Sequence, residues 1–390
     1  MSLDFDSARL PNSCLTSEHN EWRAQLRRFF EREVIPFAAD WDEDGAIPDD
    51  LWLKASEVGL LGLGYPEEFG GTSEGIDVWH SIILNEELAR VAVGGVGATL
   101  MVHGIGLPPV INFGSDEIKQ MVAPPVLAGT KRISLAITEP GGGSDVAQLQ
   151  TTARLDGDHY VVNGSKTYIT GGMNANWFTT AVRTGGEGSS GVSTLLIPSD
   201  AEGVSRTSLD KKQGWWCSDT ATIYFDNVRV PVGNLLGQEN KGFSVIMNNF
   251  NSERLAMSAS MEAFSRVCLE DAVIWARERK TFGKRLADHQ VIRHKIAEMK
   301  QRINATQAYL QLTCQQIQAG NENAGDIALL KVQSSQTMEF CAREAMQILG
   351  GGGYMRGNRV ERIYREVRVN AIGGGSEEIM RDLAARQFGL

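Results

Sequence analysis

The sequence predicts an α+β fold in which helical domains flank a middle antiparallel β domain. Apolar residues recur at helical spacing in the N-terminal part of the chain, change to short alternating runs after Arg132, and return to long helical periods after Gly242. We therefore expect an N-terminal α domain over residues 1–130, a middle β domain over 131–236 and a C-terminal four-helix bundle over 237–390.

Composition narrows the class of protein before any motif is considered. The chain has 390 residues and a net charge of −10, and it has no basic run, which argues against a nucleic-acid surface. The 5 cysteines include no Cys-x-x-Cys pair and the 6 histidines lack ligand spacing, so we expect no metal site. The N-terminus shows no leader pattern and no apolar run reaches about 20 residues, which predicts a cytoplasmic protein without a membrane span.

The N-terminal helices have recognisable boundaries. Apolar residues from Trp22 to Val34 fall on one face at helical spacing, and Pro36 ends that helix. Pro48 suits the first turn of a second helix, and Ile76–Val93 predicts a third. On the third helix, Glu86 and Glu87 are expected to face solvent.

The middle region is predicted to consist of short strands and turns. Two alternating runs surround Asp156-Gly157-Asp158, which indicates a hairpin, and Asn163-Gly164 indicates another turn. Further strands are expected at Trp177–Arg183, Ser193–Pro198 and Ala221–Phe225. In the C-terminal region, long amphipathic helices with short connections predict an antiparallel bundle. These helices are expected at about 242–277, 289–319, 325–349 and 376–388.

The stretch Ile137–Val146 contains a proline and three consecutive glycines directly after a predicted strand. Bare backbone N–H groups suit close approach by a phosphate or a planar ring, and Ser144 and Asp145 add hydrogen-bonding capacity. By itself this stretch fits either a plain linker or a cofactor cradle. It is not a dinucleotide fingerprint, because no Gly-x-Gly-x-x-Gly opens a helix here.

A second segment, Lys166–Gly172, lies one hairpin downstream, and the two together resemble segments of the acyl-CoA dehydrogenase family. The resemblance covers nearly the whole chain and includes three more motifs in the same order. These are Glu278–Gly283, Gln347–Gly351 and Gly373–Glu378. The resemblance implies FAD-dependent conversion of an acyl-CoA to a trans-2-enoyl-CoA, with electrons passed to an electron-transfer flavoprotein. It also implies a homotetramer built as a dimer of dimers.

The resemblance assigns residues to the cofactor by position. The flavin bed would comprise Leu135, Ile137, Thr138, Ser144, Tyr168 and Thr170. Tyr168 stands where many members have a tryptophan stacked on the flavin, and Ser144 is also assigned to the substrate. The FAD pyrophosphate and adenine of a neighbouring subunit would contact Arg279, Thr281, Phe282, Gln347 and Gly351. Ser376 and Glu378 complete the cofactor set.

The resemblance also locates the catalytic base. Many members carry a glutamate in the C-terminal loop, but the matching position here is Gly374. The long-chain and isovaleryl-type subset places the base on a helix instead, and the matching residue is Glu253. Gly374 keeps its N–H as a donor to the developing enolate oxygen. Arg254 matches an arginine at the thioester and CoA end of the site, or it pairs with nearby carboxylates. Glu377, like Glu378, fits the first turn of the last helix.

Other functions of the same fold stay open at this point. A flavin oxidase or monooxygenase would react with oxygen and release peroxide. A dehydrogenase specific for acyl-carrier-protein thioesters would use the same chemistry on a different carrier. A non-catalytic or nucleic-acid-associated relative that keeps flavin is disfavoured, because Glu253 is present and no basic patch is seen.

Overall fold

The computed structural model describes residues 3–390. Within that range the α-helices are α1 (Ser17–Glu33), α2 (Ala38–Asp44), α3 (Asp50–Glu57), α4 (Val78–Ala89), α5 (Gly94–Leu100), α6 (His103–Gly106), α7 (Pro108–Phe113), α8 (Asp116–Leu127), α9 (Gly242–Met247), α10 (Phe250–Glu278), α11 (Gln290–Gln318), α12 (Ala324–Leu349), α13 (Gly351–Tyr354), α14 (Arg359–Ile372) and α15 (Glu377–Gln387). The strands are β1 (Ile133–Ala136), β2 (Thr152–Asp156), β3 (His159–Thr170), β4 (Trp177–Arg183), β5 (Val192–Pro198), β6 (Val204–Ser208), β7 (Thr220–Pro231), β8 (Lys280–Thr281) and β9 (Lys284–Arg285).

These elements form two compact units. The helical unit comprises the described residues up to Ala39 together with Asp77–Gly94 and Arg254–Leu390. The sheet unit comprises Asp40–Ile76 and Gly95–Glu253. Each unit has its own apolar core. In the helical unit, the core includes residues of α10, α11, α12 and α14, among them Phe264, Ile303, Met338 and Ile363.

The sheet unit contains strands β1 to β7 in the order β1-β4-β2-β3-β7-β6, with β5 paired to β4. Most neighbours are antiparallel, as β3 is with β7, whereas β1 runs parallel to β4. The core on this sheet includes Val162, Phe178, Leu195 and Ile223. The alternating burial along β3 and β7 matches the period of a strand with one face covered.

The predicted strands and the helix at 325–349 are confirmed, but the turn predicted at Asn163-Gly164 is wrong. The chain continues through both residues as β3, and the register to β7 shifts between Val162 and Gly164. Gly164 has a φ of +144°, and a Cβ on it would lie 2.6 Å from Thr151 Oγ1. The glycine therefore permits a β-bulge and a close approach of the backbone to Thr151, and the chain does not turn back here. Strand β6 and helix α14 were not predicted.

The helix predicted over 242–277 is interrupted in the structure. Helix α9 ends at Met247 and α10 begins at Phe250, with two asparagines between them. Asn249 Nδ2 donates to the Gly104 carbonyl at 3.0 Å, and Asn112 Nδ2 donates to Asn248 Oδ1 at 3.3 Å. Asparagine side chains that bond elsewhere compete with helix continuation, which explains the break.

The expectation that Glu86 and Glu87 face solvent is also wrong. Both are buried on α4, where Glu86 accepts from Arg23 at 2.6 Å and Glu87 accepts from Arg27 at 2.7 Å. Burial opposes ionisation of Glu86, but nearby guanidinium groups, with Arg266 the strongest, outweigh it and lower its pKa to about 2. The partners come from distant parts of the chain, so helical periodicity on α4 could not reveal them.

No single helix among the described residues is long and apolar enough to cross a membrane. Two helical stretches, Gly94–Leu100 and His103–Phe113, have the length and apolar composition of a membrane span only when taken together, and a bend of 47° separates them.

Candidate active site

A buried ion pair anchors the segment that follows β1 in the sheet unit. Lys166 Nζ, on β3, donates to Glu139 Oε1 at 2.7 Å and to the Ile137 carbonyl at 3.0 Å. The Glu139 carboxylate also accepts the backbone N–H groups of Gln150 and Thr151. Burial lowers the pKa of Lys166 to about 8, although Glu139 opposes that shift. Burial also opposes ionisation of Glu139, yet Lys166 and the N–H donors leave its pKa below the usual range.

The glycine stretch is open on its outer side. Residues 139–142 close on themselves, because the Glu139 N–H donates to the Gly142 carbonyl at 3.0 Å and the Gly142 N–H donates back at 3.1 Å. A Cβ on Gly141 or Gly142 would meet nothing within 4 Å, and Ser144 is exposed. The space beside these backbone groups is therefore available to a ligand.

Tyr168 is presented by an irregularity in β3. The register between β3 and β7 shifts between Lys166 and Ile169, and Tyr168 has a φ of +60° with 70% of its surface exposed. A non-glycine residue in the left-handed region is strained, and such strain clusters at functional sites. Beside it, the Thr167 N–H donates to the Thr138 carbonyl at 2.8 Å, which joins the two segments predicted to hold the flavin. Leu135, on β1, and Thr170 are half-buried.

In the helical unit, the C-terminal glycines form the connection between α14 and α15. Gly374 has a φ of +66° and Gly375 a φ of +107°. Arg254 Nε donates to the Gly374 carbonyl at 3.0 Å, and Lys331 Nζ donates to the Gly375 carbonyl at 2.7 Å. Ser376 then caps α15, its side chain accepting the Ile379 N–H.

The acids after the glycines have structural surroundings. Glu377 accepts from Ser335 at 2.9 Å, from Gln336 at 3.0 Å and from Arg381 at 3.0 Å. Although burial opposes it, these donors lower the pKa of Glu377. Glu378 is exposed in the same turn of α15. This environment agrees with a role in the first turn of the helix.

The predicted base, Glu253, lies in the first turn of α10 and is half-buried. Its backbone N–H donates to the Asn249 carbonyl at 3.2 Å. Arg254 follows it on the helix and is buried, with its guanidinium on the Gly374 loop.

One of the residues predicted to contact a neighbouring subunit's cofactor lies beside an aromatic side chain, Trp275, that the sequence did not single out. The Arg279 guanidinium lies 6.0 Å from the centre of the Trp275 ring. A Cβ on Gly352, one residue after Gly351, would lie 3.5 Å from the same ring. Strands β8 and β9 form a hairpin whose turn holds Phe282, with a φ of +50° and 97% exposure. Gln347 is exposed near the end of α12, and Thr281 Oγ1 lies 3.3 Å from His289 Nε2.

A His-Asp-His cluster has the ligand types of a metal site. His19 Nε2 and His80 Nδ1 lie 2.9 Å and 3.0 Å from Asp77 Oδ1. Both rings, however, reach back to a helix start: His19 Nδ1 accepts the Thr16 N–H, and His80 Nδ1 accepts the Asp77 N–H. We interpret the cluster as a pair of capping boxes for α1 and α4.

Comparison with known proteins decides the family. The model described as acyl-CoA dehydrogenase, N-terminal domain, matches residues 16–130, the middle-domain model matches 134–228 and the C-terminal-domain model matches 240–389. The chain belongs to the acyl-CoA dehydrogenase family. These matches confirm the family and the fold class predicted from the sequence. Enzymes of this family are flavin-dependent oxidoreductases.

Relatives of this acyl-CoA dehydrogenase family member match over most of their length. An acyl-CoA dehydrogenase of Alternaria alternata is 36% identical, and the match covers 97% of this chain and 93% of the relative. The mitochondrial long-chain specific acyl-CoA dehydrogenase of Sus scrofa is 35% identical over 96% of this chain and 87% of its own. The crystal structure of an acyl-CoA dehydrogenase from Geobacillus kaustophilus superposes with a TM-score of 0.92 at 34% identity, covering 97% of this chain and 100% of that one.

Proposed function

We propose that the chain is an FAD enzyme that removes hydrogen from the α and β carbons of an acyl-CoA and yields a trans-2-enoyl-CoA. The observation that carries the proposal is the bond from Arg254 to the Gly374 carbonyl. Gly374 lacks the carboxylate that many members have in this loop. The residue attached to the loop is instead the one that follows Glu253 on α10. This arrangement supports the base on the helix rather than in the loop.

The chain's own residues have distinct tasks in this reaction. The α C–H of a thioester is a weak acid, so it requires a positioned base and a donor for the oxygen on which charge develops. We assign the base to Glu253 and the donor to the Gly374 N–H, with Arg254 and Ser144 contacting the substrate. When bound, FAD supplies the acceptor for the hydride from the β carbon.

The residues present fit a bound FAD. The exposed Tyr168 ring offers a flat apolar surface, and a backbone bond from Thr167 to Thr138 joins its strand to the segment after β1. We assign Tyr168 to the flavin together with Leu135, Ile137, Thr138, Ser144 and Thr170. Arg279 offers a guanidinium for a phosphate oxygen. We assign it together with the other residues predicted for a neighbouring subunit's cofactor, which are Thr281, Phe282, Gln347 and Gly351. Ser376 and Glu378 are assigned to the cofactor at the start of α15.

The remaining proposals concern partners and location. Exposed apolar side chains at Phe282, Tyr354 and Met355 support assembly with further copies, and we propose a homotetramer. We further propose electron-transfer flavoprotein as the electron acceptor and a cytoplasmic location. The domain boundaries at 130/131 and 236/237 also stay predictions.

An anaerobic titration tests the function. Purified protein should carry FAD, and free acyl-CoA should bleach the flavin spectrum without oxygen. Adding air should then give slow reoxidation. Rapid turnover in air with stoichiometric peroxide would establish an oxidase instead. Bleaching by acyl-carrier-protein thioesters but by no acyl-CoA would establish the carrier-protein specificity.

A further inference from the structure

The connection between α14 and α15 depends on a backbone that glycine alone adopts easily. Gly374 and Gly375 both have positive φ, and a Cβ on Gly375 would lie 2.4 Å from Met380 Cε. Glycine loses more conformational freedom on ordering than any other residue. A loop of consecutive glycines therefore holds one shape only if other groups fix it.

Two cations from different helices fix this loop. Arg254, on α10, donates to the Gly374 carbonyl, and Lys331, on α12, donates to the Gly375 carbonyl. At the preceding turn, the Gly373 N–H donates to the Val369 carbonyl at 2.7 Å. The peptide group that carries the Gly374 N–H thus lies between peptide groups that are held on both sides. Because a trans peptide points its C=O and N–H in opposite directions, fixing the Gly374 and Gly375 carbonyls directs the N–H groups of Gly375 and Ser376. It also holds in place the peptide group next to the one that carries the Gly374 N–H.

The burial of Lys331 is the second observation. Its side chain has 0% exposure, and burying an ammonium group is unfavourable unless the group is well bonded. The ammonium group of Lys331 gives a 2.7 Å bond to the Gly375 carbonyl, so part of its bonding is made to the glycine loop. A stem of four methylenes without the charge would fill the same space on α12.

We propose that Lys331 is a positioning residue for the reaction. With Arg254 it forms a two-point clamp on the carbonyls of Gly374 and Gly375, and this clamp restricts the direction of the Gly374 N–H by holding the peptide groups that follow it. The inference rests on the proposed function, because that N–H is the donor assigned to the thioester oxygen.

The variant Lys331→Met tests the clamp, since it keeps the stem and removes the donor. The rate of anaerobic flavin reduction at saturating acyl-CoA, expressed per bound FAD, should fall about 10- to 100-fold, less than the loss typical of removing an oxyanion donor outright. Acyl-CoA affinity for the oxidised enzyme should change less than about 3-fold, because the donor acts on charge that develops later. Lys300→Met is the matched control: it removes a 2.7 Å lysine bond to the Ala8 carbonyl in the same unit and should leave the rate unchanged.

If Lys331 only stabilises the fold, its substitution should affect other quantities than the rate. FAD content or assembly would fall, while the reduction rate per bound FAD stayed at the wild-type value, and that result would overturn the proposal. If the methionine variant does not fold, Lys331→Gln replaces it, because glutamine still offers an N–H donor. Its rate of flavin reduction per bound FAD should fall, but by less than in the methionine variant.

Hydrogen–deuterium exchange separates the clamp from the proposed function. Exchange at residues 373–376 should rise in Lys331→Met and not in Lys300→Met, whether or not any acyl-CoA reduces the flavin. Unchanged exchange would overturn the clamp itself. Raised exchange in an enzyme that no acyl-CoA reduces would refute the proposed function and leave the clamp standing.

Discussion

Lys166 and Glu139 form a buried ion pair, with Nζ and Oε1 2.7 Å apart, between β3 and the segment that follows β1. The same lysine holds the Ile137 carbonyl, so a single side chain fixes two residues at the start of the segment predicted to face the flavin. A buried pair of this kind contributes little if both partners are replaced, but losing one partner leaves the other charge buried. Its effect on the protein is therefore best seen in single substitutions.

Lys166→Met should strongly destabilise the protein. The variant leaves the Glu139 carboxylate without its cation, and such a loss costs about 3–5 kcal/mol. Urea unfolding followed by circular dichroism gives the change, and FAD retention should fall with it.

The control for this prediction is Arg229→Met. Arg229 pairs with Asp156 at 2.8 Å in the same sheet, but both side chains are more than half exposed. Exposed pairs contribute about 0–1 kcal/mol, so the free energy of unfolding should barely change. If both variants lose the same free energy of unfolding, burial does not make the Lys166–Glu139 pair more important to stability than an exposed pair.

The buried side chain of His103 should make the stability of the protein depend on pH. Burial lowers its pKa to about 4 from the ordinary 6.5, although its hydrogen bond to the Leu61 carbonyl opposes the shift. Between pH 6.5 and 4 the unfolded chain binds a proton that the folded chain does not. The contribution of His103 to the free energy of unfolding should therefore decrease, by about 1.4 kcal/mol per pH unit, as pH falls through this window, and level off below it.

The comparison that isolates this group is His103→Gln against wild type, each unfolded in urea at several pH values. The stability difference between the two proteins should change over the window from pH 6.5 to 4 and stay constant above it. A pH-independent difference for His103→Gln would contradict the prediction.

Sequence patterns predicted local structure well and long-range partners poorly. The periodicity around α12 and the hairpin at Asp156-Gly157-Asp158 depend on neighbouring residues, and both were confirmed. Asn163-Gly164 was misinterpreted because the demand for glycine comes from Thr151, across the sheet. Lys331 was missed for the same reason, because the Gly375 carbonyl that it contacts lies 44 residues away in the chain. Trp275 was missed because Gly352, which lies against its ring, is also tens of residues away.

Substitution of Phe282 should affect the association of subunits without destabilising the single subunit. Its φ of +50° is unfavourable for a bulky side chain but suits asparagine, and its ring is almost fully exposed. Phe282→Asn should leave the subunit as stable or more stable, while the proposed tetramer dissociates and FAD is retained less well. Analytical ultracentrifugation measures the assembly. Leu155→Asn, at another exposed apolar residue, should leave the assembly intact, and equal dissociation in both variants would remove the special role of Phe282.

The last prediction concerns the proposed base. Glu253→Gln should abolish flavin reduction by acyl-CoA while FAD content, fold and acyl-CoA affinity stay near wild type. Glutamine keeps the size and the hydrogen-bonding reach but cannot accept the α proton. General-base catalysis is worth about 10²–10⁴-fold, and stopped-flow spectroscopy without oxygen measures the loss.

Glu377→Gln is the matched control, because Glu377 carries a carboxylate close to the same glycine loop. That carboxylate is already bonded to Ser335, Gln336 and Arg381. It should reduce the rate far less. The double variant Glu253→Gly with Gly374→Glu should regain measurable activity with shorter acyl chains, since the new side chain takes up space near the thioester. Its stability should fall by about 1–2 kcal/mol, because Gly374 has a left-handed φ of +66°. If Glu253→Gln retains a tenth of the wild-type rate, a barrier change of only about 1.4 kcal/mol, the base lies elsewhere, and Glu377 is the next residue to test.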